Sequence, residues 1–376
     1  MEVVIVGAGV VGMFAAYYLE REGIDVTLID KHGLGHGSVH AAGLIEPYRF
    51  DRMNTAEMIL KMLEYARRGV TRVRRVNKEW LVQLLRNLNR NPPEEAWEVM
   101  RTMATFSLME YARMSEEEND FNYRHQGLYE VYSDRTKMER ALEEEAKSPF
   151  RNRVELVDFP PFAGALYYPG LSHLSTELFV ERMRRELRNV KLILGEVSSV
   201  EGDTVKLPSR EVRGDVIVLT AGLSLSTVLP LTPFKGYGYR VVGRGPGVPT
   251  VLAEEGVAIV PLEGWYKITW GFEADYEDGV RELRNNPLVR VEKVIDASCG
   301  HRPCSPDGFP ILFRSANVVA ATGNCRLGWS YAPAMGKYAA DLVLGRTRSY
   351  PYLDRYKFLW TSYPESSLAL LNTQTH

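Results

Sequence analysis

Three glycines and one aspartate near the N-terminus have the types and spacing suited to binding a dinucleotide. In the GxGxxG pattern, Gly7 permits a tight turn, Gly9 lets backbone N–H groups approach a pyrophosphate, and Gly12 lets the next helix pack close to a sheet. The Asp30 carboxylate can accept hydrogen bonds from ribose hydroxyls, which argues against a cofactor that carries a 2′-phosphate. The pattern therefore predicts a dinucleotide site.

Other residue types that carry chemistry do not form the pattern of a metal or hydrolytic site. His32, His36 and His40 have the i, i+4 spacing of helical metal ligands, but the glycines between them oppose the helix that this spacing needs. The three cysteines lack CxxC spacing, and such an odd, sparse set fits a reducing cytoplasm. We expect no bound metal and no Ser-His-Asp set.

The elements around the glycine motif are predicted to form a β-α-β unit. Residues 3–6 are an apolar, β-branched run typical of a buried parallel strand, and a helix follows through Leu19 until Gly23. Residues 26–29 form a second strand that ends at Asp30. The helix N-terminus then faces the phosphates. Because the unit starts at residue 1, we expect no signal peptide.

Composition and charge indicate an ordinary globular protein. Of 376 residues, 45% are hydrophobic and 25% are charged, which is sufficient for two domains. The formal net charge of −2 gives no basic field for nucleic acid, and no apolar run is long enough to cross a bilayer. We therefore expect a cytoplasmic protein that binds no nucleic acid. Scarce glutamine with abundant arginine and glutamate indicates a thermophilic source.

The segment after Asp30 is rich in small residues. A mobile glycine loop and a loop that lies against a flat ligand both fit residues 37–44, GSVHAAGL. Together with the N-terminal motif, this GSxxxAAG pattern resembles the FAD-dependent family that includes D-amino acid oxidase, glycine oxidase, sarcosine oxidase and the dye-linked D-amino acid and proline dehydrogenases. The resemblance implies that FAD is the cofactor.

The resemblance also implies cofactor contacts along the whole chain. Residues 37–44 would run beside the pyrophosphate and flavin ring, and the backbone of Val197 would hold adenine. Residues 220–222 match an ATG-like signature, although an ordinary strand stopped by glycine looks similar. Residues 323–329 match a TGH-like turn, with Asn324 in place of the frequent histidine, and would face the pyrimidine end of the flavin. The implied cofactor residues are Gly7, Gly9, Val10, Val11, Gly12, Asp30, Lys31, Gly37, Ser38, Ala41, Ala42, Gly43, Leu44, Val197, Thr220, Ala221, Gly222, Gly300, Arg302, Gly323, Asn324, Arg326, Leu327, Gly328 and Trp329.

Arg302 is the residue expected to bind substrate. Residues 300–310 match the family's GxRPxxPDGxP segment, whose arginine clamps the substrate carboxylate over the flavin. A guanidinium offers a carboxylate two parallel donors, which a lysine does not. A structural salt bridge is the alternative role. His301 occupies the place where some members link the flavin to a cysteine, so noncovalent FAD is expected.

An antiparallel group of strands over residues 232–275 is predicted to form one wall of the substrate pocket. In the family, the sheet at this position faces the substrate, so Tyr237, Tyr266 and Trp270 are candidate substrate contacts, together with Trp329 near the flavin. Aromatic residues in strands also serve simple packing, which remains the alternative.

The fold class implied is α/β, with a Rossmann-like FAD-binding domain of glutathione-reductase type and an interleaved α+β substrate domain built on an antiparallel sheet. We assign residues 1–50, 151–230 and 295–350 to the FAD-binding domain. Residues 51–150 and 231–294 form the substrate or cap domain, and residues 351–376 form a C-terminal tail.

Residues 51–120 combine helical apolar spacing with many arginines. Apolar residues such as Leu60, Trp80 and Leu85 alternate with six arginines between residues 67 and 86. Such helices can lie on an anionic membrane surface or dock a partner, although a solvated face is the commoner explanation. A peripheral contact with the inner face of the membrane and a homodimer or hetero-oligomer therefore stay open.

The function implied is that of an FAD-dependent amino-acid dehydrogenase. A small amino or imino acid, with proline or a D-amino acid favoured, would pass a hydride from its CH–NH carbon to flavin N5, and electrons would continue to a quinone or dye. One alternative is a glycine- or sarcosine-type oxidase that uses oxygen. Another is a noncatalytic FAD-bearing subunit of a larger complex.

Overall fold

The computed structural model describes residues 1–361 and 368–369. The remaining residues, all within the predicted C-terminal tail at 351–376, lie outside the described part of the chain. The helices described are α1 (Val10–Arg21), α2 (Ala56–Arg67), α3 (Lys78–Arg86), α4 (Glu94–Glu117), α5 (Arg135–Ala146), α6 (Thr176–Glu186), α7 (Gly328–Val343) and α8 (Lys357–Thr361). The strands described are β1 (Glu2–Val6), β2 (Asp25–Asp30), β3 (Leu44–Ile45), β4 (Leu128–Tyr132), β5 (Glu155–Val157), β6 (Gly164–Tyr168), β7 (Ser172–His173), β8 (Lys191–Leu194), β9 (Ser199–Glu201), β10 (Thr204–Leu207), β11 (Arg210–Arg213), β12 (Val216–Leu219), β13 (Thr232–Arg244), β14 (Thr250–Leu252), β15 (Val257–Leu262), β16 (Trp265–Glu273), β17 (Arg290–Cys304), β18 (Ile311–Ser315), β19 (Val318–Thr322) and β20 (Leu368–Ala369).

A six-stranded sheet contains the predicted β-α-β unit. Its order is β18-β19-β12-β1-β2-β8, and β1 pairs in parallel with both β12 and β2. All four core-facing residues of β12 are buried, as expected for a parallel strand covered on both faces. Helices α1 and α7 pack closely against each other. A Cβ at Gly336 of α7 would lie 2.5 Å from the Cβ of Phe14 of α1, so only glycine leaves room for this contact. Because β1, β2 and β12 run parallel, their carboxyl ends lie at the same edge of the sheet.

An eight-stranded sheet forms the second layer. Its order is β17-β13-β16-β15-β14-β4-β6-β5, and it is antiparallel except for the parallel pair β14–β4. The aromatic strands predicted over residues 232–275 form β13, β15 and β16, and the turn at Gly264 joins the last two. This sheet confirms the predicted α/β class with a substrate domain on an antiparallel sheet.

The sheet memberships differ from the predicted domain bounds at two places. Strands β5 and β6 lie in the eight-stranded sheet, whereas the sequence assigns residues 151–230 to the FAD-binding domain. Most of β17 also lies after residue 295, where the FAD-binding domain is predicted to resume, yet this strand belongs to the eight-stranded sheet. Strand β6 is fixed by its pairing with β4, in which Leu166 and Tyr168 are buried.

Two short 3-10 helices lie near the carboxyl edge of the six-stranded sheet, one after β12 and one just before α7. The 3-10 segments are Gly222–Thr227 and Cys325–Leu327. Helix α7 begins at Gly328, and Pro333 lies inside it. This start brings the helix N-terminus directly against the turn at residues 323–327.

Candidate active site

The glycine turn after β1 has the close backbone packing that the motif predicts. Gly7 has φ +103°, and a Cβ there would lie 2.6 Å from the backbone of Thr220. A Cβ at Gly12 would lie 2.0 Å from the Gly7 carbonyl oxygen. The Thr220 hydroxyl donates to that same oxygen at 2.7 Å. Hence the turn, the start of α1 and the end of β12 fit together only with glycine at these positions.

Ser38 lies at the N-terminus of α1. Its hydroxyl accepts a hydrogen bond from Val10 N at 3.0 Å, and its carbonyl accepts one from Trp329 Nε1 at 2.9 Å. The N-cap residue, Gly9, has no side chain of its own to cap the helix. The structure therefore joins the predicted loop residue Ser38, the glycine motif and Trp329 around a helix end that favours anions.

Asp30 ends β2 beside the same turn. Its carboxylate accepts hydrogen bonds from the backbone N–H groups of Ala8 (2.8 Å), His32 (2.8 Å) and Gly33 (2.9 Å). These bonds fix the carboxylate at the carboxyl edge of the sheet, where a ribose would meet it. Gly195 N donates to the Asp30 carbonyl at 2.9 Å, which places the buried Val197 close by.

A cavity of about 810 Å³ is lined by ten of the predicted residues. Arg302 and Trp270 line it together with two predicted cofactor segments. The predicted residues on its wall are Ala41, Ala42, Gly43, Leu44, Trp270, Arg302, Asn324, Arg326, Leu327 and Trp329. Residues as far apart as positions 41 and 329 thus line one cavity. In the sequence, only the family resemblance linked these segments.

The other predicted cofactor residues lie around the cavity or near the sheet edge. Gly300 faces His40, because a Cβ at residue 300 would lie 3.1 Å from the Cβ of His40. Gly323 (φ +82°) and Gly328 flank the Cys325–Leu327 segment, and Val11 follows Val10 in α1. Lys31 pairs with exposed Glu196 at 3.0 Å, Ala221 and Gly222 follow Thr220, and Gly37 has open space around it.

Arg302 presents a positive charge to the cavity. Its guanidinium donates to the carbonyl oxygens of Gly271 at 3.0 Å and Phe234 at 3.3 Å, and it lies 5.7 Å from the Phe272 ring centroid. It makes no ion pair with any carboxylate in the part of the chain that the structure describes. Burial, followed by the charge of Arg326, lowers the pKa of Arg302 to about 10, although Glu46 opposes this shift. The site therefore lacks a negative charge that a bound carboxylate would supply.

Gly236 makes room for this guanidinium. A Cβ at residue 236 would lie 2.4 Å from one terminal nitrogen of Arg302 and 2.5 Å from the other. Sequence reasoning missed this glycine, which precedes Tyr237 on the strand paired with β17. No sequence signal could relate it to Arg302, because the register that pairs Phe234 with Arg302 and Gly236 with Gly300 depends on tertiary structure.

Two of the predicted aromatic contacts have partners away from the cavity wall. The Tyr237 hydroxyl donates to Glu273 at 2.8 Å, and the Tyr266 hydroxyl donates to the Gly245 carbonyl at 3.0 Å. Trp270 does line the cavity, and Tyr237 packs against it with ring centroids 5.0 Å apart. The alternating pattern predicted the strands but could not tell wall residues from the layer behind them. The geometry favours Trp270 and Trp329 over the two tyrosines.

A buried ion network that no sequence pattern indicated forms part of the cavity wall. Arg49 pairs with Glu46 at 2.8 Å and with Glu130, while Arg326 pairs with Asp51 at 3.0 Å. Burial alone would raise the pKa of Asp51, but Arg326 and Lys61 lower it to about 2. Glu46, Asp51 and Glu130 thus each have a cationic partner, whereas Arg302 has no carboxylate partner among the described residues.

Two cysteines that we expected to be unpaired form a disulfide next to Arg302. Cys304 is bonded to Cys325, and Cys299 is the free cysteine. The hairpin of β18 and β19 brings the two residues together across a separation of 21 positions, which spacing rules for metal or redox pairs do not detect. The bond ties the end of β17, two residues after Arg302, to the segment that contains Arg326.

Removing this disulfide should destabilise the protein and loosen the site. For Cys304→Ala with Cys325→Ala, we expect the free energy of unfolding to fall by about 3 kcal/mol, as the loop length implies, and the KM for substrate to rise several-fold. Denaturant unfolding and steady-state kinetics measure both effects. Cys299→Ala is the matched control and should behave as the wild type. Equal unfolding midpoints for all three proteins would refute a disulfide at this position.

The residues present fit FAD. Asn324 Oδ1 is buried on the cavity wall without a hydrogen-bond partner among the described residues. A buried polar atom of this kind is normally hydrogen-bonded, and a bound flavin would supply the donor. The N-terminus of α1 would hold the pyrophosphate, Asp30 a ribose, and residues 323–329 the flavin end. Within the described residues, no helix is both long and apolar enough to span a membrane.

Comparisons with known proteins agree with this site. The model of the family described as FAD dependent oxidoreductase (DAO) matches residues 2–342. D-proline dehydrogenase from Pyrobaculum islandicum is 39% identical over 357 residues, which cover 92% of this chain and 96% of that protein.

Solved structures show the same fold at lower identity. Iminodiacetate oxidase from Chelativorans sp. BNC1 has a TM-score of 0.65 and 20% identity, covering 94% of this chain and 98% of that one. L-proline dehydrogenase from P. horikoshii has a TM-score of 0.66 and 16% identity, covering 96% of this chain and 98% of that one. With the glycine turn, Asp30 and the Arg302 cavity all in place, the chain belongs to the DAO family of FAD-dependent oxidoreductases.

Proposed function

We propose that this FAD-dependent oxidoreductase is a dehydrogenase of D-proline. The observation that supports it most is the unmatched Arg302 guanidinium on the wall of the cavity that contains the predicted flavin-contact residues. The relative with 39% identity over nearly its whole length is a D-proline dehydrogenase, which favours this substrate over other amino acids.

The protein's own residues would bind and orient the substrate. Arg302 would hold the carboxylate with two parallel donors, and Trp270 with Phe272 would limit the space beside the ring of the imino acid. When bound, FAD supplies a hydride acceptor for the carbon that carries the nitrogen. Asp51 would be a poor base, because Arg326 and Lys61 lower its pKa to about 2. We expect the substrate to react with a neutral amine.

FAD would be held without a covalent link. His301 stands where a linking cysteine would be, and Cys304 is already engaged in the disulfide. Flavin should therefore leave the protein on acid denaturation. The electron acceptor would be a quinone or an artificial dye, and a homodimer or hetero-oligomer remains a prediction.

A substrate panel tests the proposal. With a dye as acceptor, we expect kcat/KM for D-proline to exceed that for L-proline, glycine, sarcosine and D-alanine by at least about tenfold, a ratio that one well-fitted side chain can supply. Stoichiometric peroxide during turnover would instead identify an oxidase. No turnover of any of these by the FAD-loaded single chain would favour a noncatalytic subunit.

A further inference from the structure

Residues 56–90 concentrate positive charge. This segment contains α2, α3 and the loop between them, and it has nine basic and three acidic residues, a net charge of +6 in a chain whose total is −2. Ion pairs engage Lys61, Arg68 and Arg74. The other six basic side chains have no ion pair with a described residue, and all six residues are exposed. The segment is therefore a basic patch on an acidic protein.

The same segment concentrates exposed apolar side chains. Of the 18 large hydrophobic residues exposed in the described part of the chain, eight lie between residues 56 and 90. They are Ile59, Leu60, Leu63, Val73, Leu81, Val82, Leu85 and Leu88, with exposed fractions from 37% to 67%. Scattered apolar residues on a surface need no explanation, but this density on one tenth of the chain does.

Helices α2 and α3 both turn their inner sides toward the same apolar cluster. Met58 and Met62 of α2 pack against the cluster that contains Trp80 and Leu84 of α3. Asn89 N, just after α3, donates to the Asn54 carbonyl at 2.8 Å. The exposed apolar residues of the two helices therefore lie on the sides away from this cluster, within the same basic segment, and we call these exposed sides the α2–α3 surface.

We propose that this α2–α3 surface docks on a bilayer that contains anionic lipid. Exposed leucines would enter the headgroup boundary while the arginines contact lipid phosphates, the combination by which amphipathic helices bind to membranes without crossing them. A second copy of this chain fits less well, because two surfaces of charge +6 would repel each other. Charge complementarity favours the lipid surface.

Docking in this way would place the cavity beside the bilayer. Helix α2 has no fully buried residue, and the side opposite its exposed leucines lines the cavity through Met58, Met62 and Tyr65. One helix would therefore separate the lipid from the site, and a lipid-soluble quinone could accept electrons there. This last step rests on the proposed function, whereas the docking does not.

Vesicle binding by the full-length, FAD-loaded enzyme tests the proposal. The wild type should sediment with vesicles of phosphatidylcholine and phosphatidylglycerol in equal parts, at least about tenfold better than with phosphatidylcholine alone, and ~0.5 M salt should remove the difference. Leu60→Glu with Leu85→Glu should lower the binding at least about tenfold. The matched control, Met109→Glu with Leu156→Glu, changes residues of similar exposure elsewhere and should bind as the wild type.

Dye reduction in vesicle-free buffer should be equal in all these variants, so a failure of the proposed activity is distinguishable from a failure to dock. Three results would overturn the proposal. The wild type could ignore both vesicle types, the Leu60 and Leu85 variant could bind as well as the wild type, or light scattering could show a wild-type dimer that the variant converts to a monomer.

Discussion

Replacing Arg302 with alanine should raise the KM for D-proline by about 100-fold and leave FAD bound. The cost follows from removing one partner of a buried, hydrogen-bonded charge pair, which is worth about 2–5 kcal/mol. The guanidinium is held in place by the carbonyl oxygens of Gly271 and Phe234, so its position does not depend on the substrate. Steady-state kinetics and the visible flavin absorbance of the purified protein measure the two parts of the expectation.

The nature of the defect can be tested with a substrate that lacks the carboxylate. Pyrrolidine should be a poor substrate of both proteins, with nearly equal kcat/KM, because Arg302 has nothing to bind in it. Arg302→Lys should fall between the wild type and Arg302→Ala, since a lysine keeps the charge but loses the two parallel donors. Arg290→Ala, on the exposed start of the same strand, is the control. An unchanged KM for D-proline in Arg302→Ala would remove this residue from the site.

Replacing Gly12 with valine should abolish FAD binding. The new Cβ would lie 2.0 Å from the Gly7 carbonyl oxygen and 2.7 Å from the Thr220 hydroxyl, so the turn and the start of α1 must separate. We expect a colourless protein with an FAD affinity at least about 100-fold weaker, since a cradle of backbone donors works only in its fixed geometry. Equilibrium dialysis against FAD measures the affinity.

A matched control separates binding from folding. Gly247→Ala places a methyl group where nothing lies within 4 Å, and it should bind FAD as the wild type does. Circular dichroism of the FAD-free proteins shows whether Gly12→Val still folds, and the milder Gly12→Ala keeps the test informative if it does not. Normal FAD affinity in both Gly12 variants would contradict the assigned turn.

Local chemistry explains which parts of the fold could be predicted from the sequence. The turn at Gly7, the helix after it and the strand that ends at Asp30 depend on backbone conformations that neighbouring residues dictate, and each was predicted correctly. The strands β13, β15 and β16 were also predicted, because aromatic and β-branched alternation is a local pattern. Resemblance, rather than spacing, related Arg302 to this distant turn.

Features that depend on distant partners could not be predicted. Glu130 lies 81 positions from Arg49, so no pattern of either segment reveals their ion pair. The bond between Cys304 and Cys325 depends on the hairpin between them, and β6 became a strand through its pairing with β4. The placement of Tyr237 behind Trp270 depends on how the sheet packs against the cavity. Each of these features is fixed by tertiary pairing rather than by local preference.

The most direct test of the account is an anaerobic titration of the FAD-loaded single chain with D-proline. The account predicts that the visible flavin absorbance falls with one equivalent of D-proline per flavin, and that Arg302→Ala is reduced about 100-fold more slowly at D-proline concentrations well below the KM. Absorbance that stays constant in the wild type at saturating D-proline, or that falls at the same rate in both proteins at low D-proline, would contradict it.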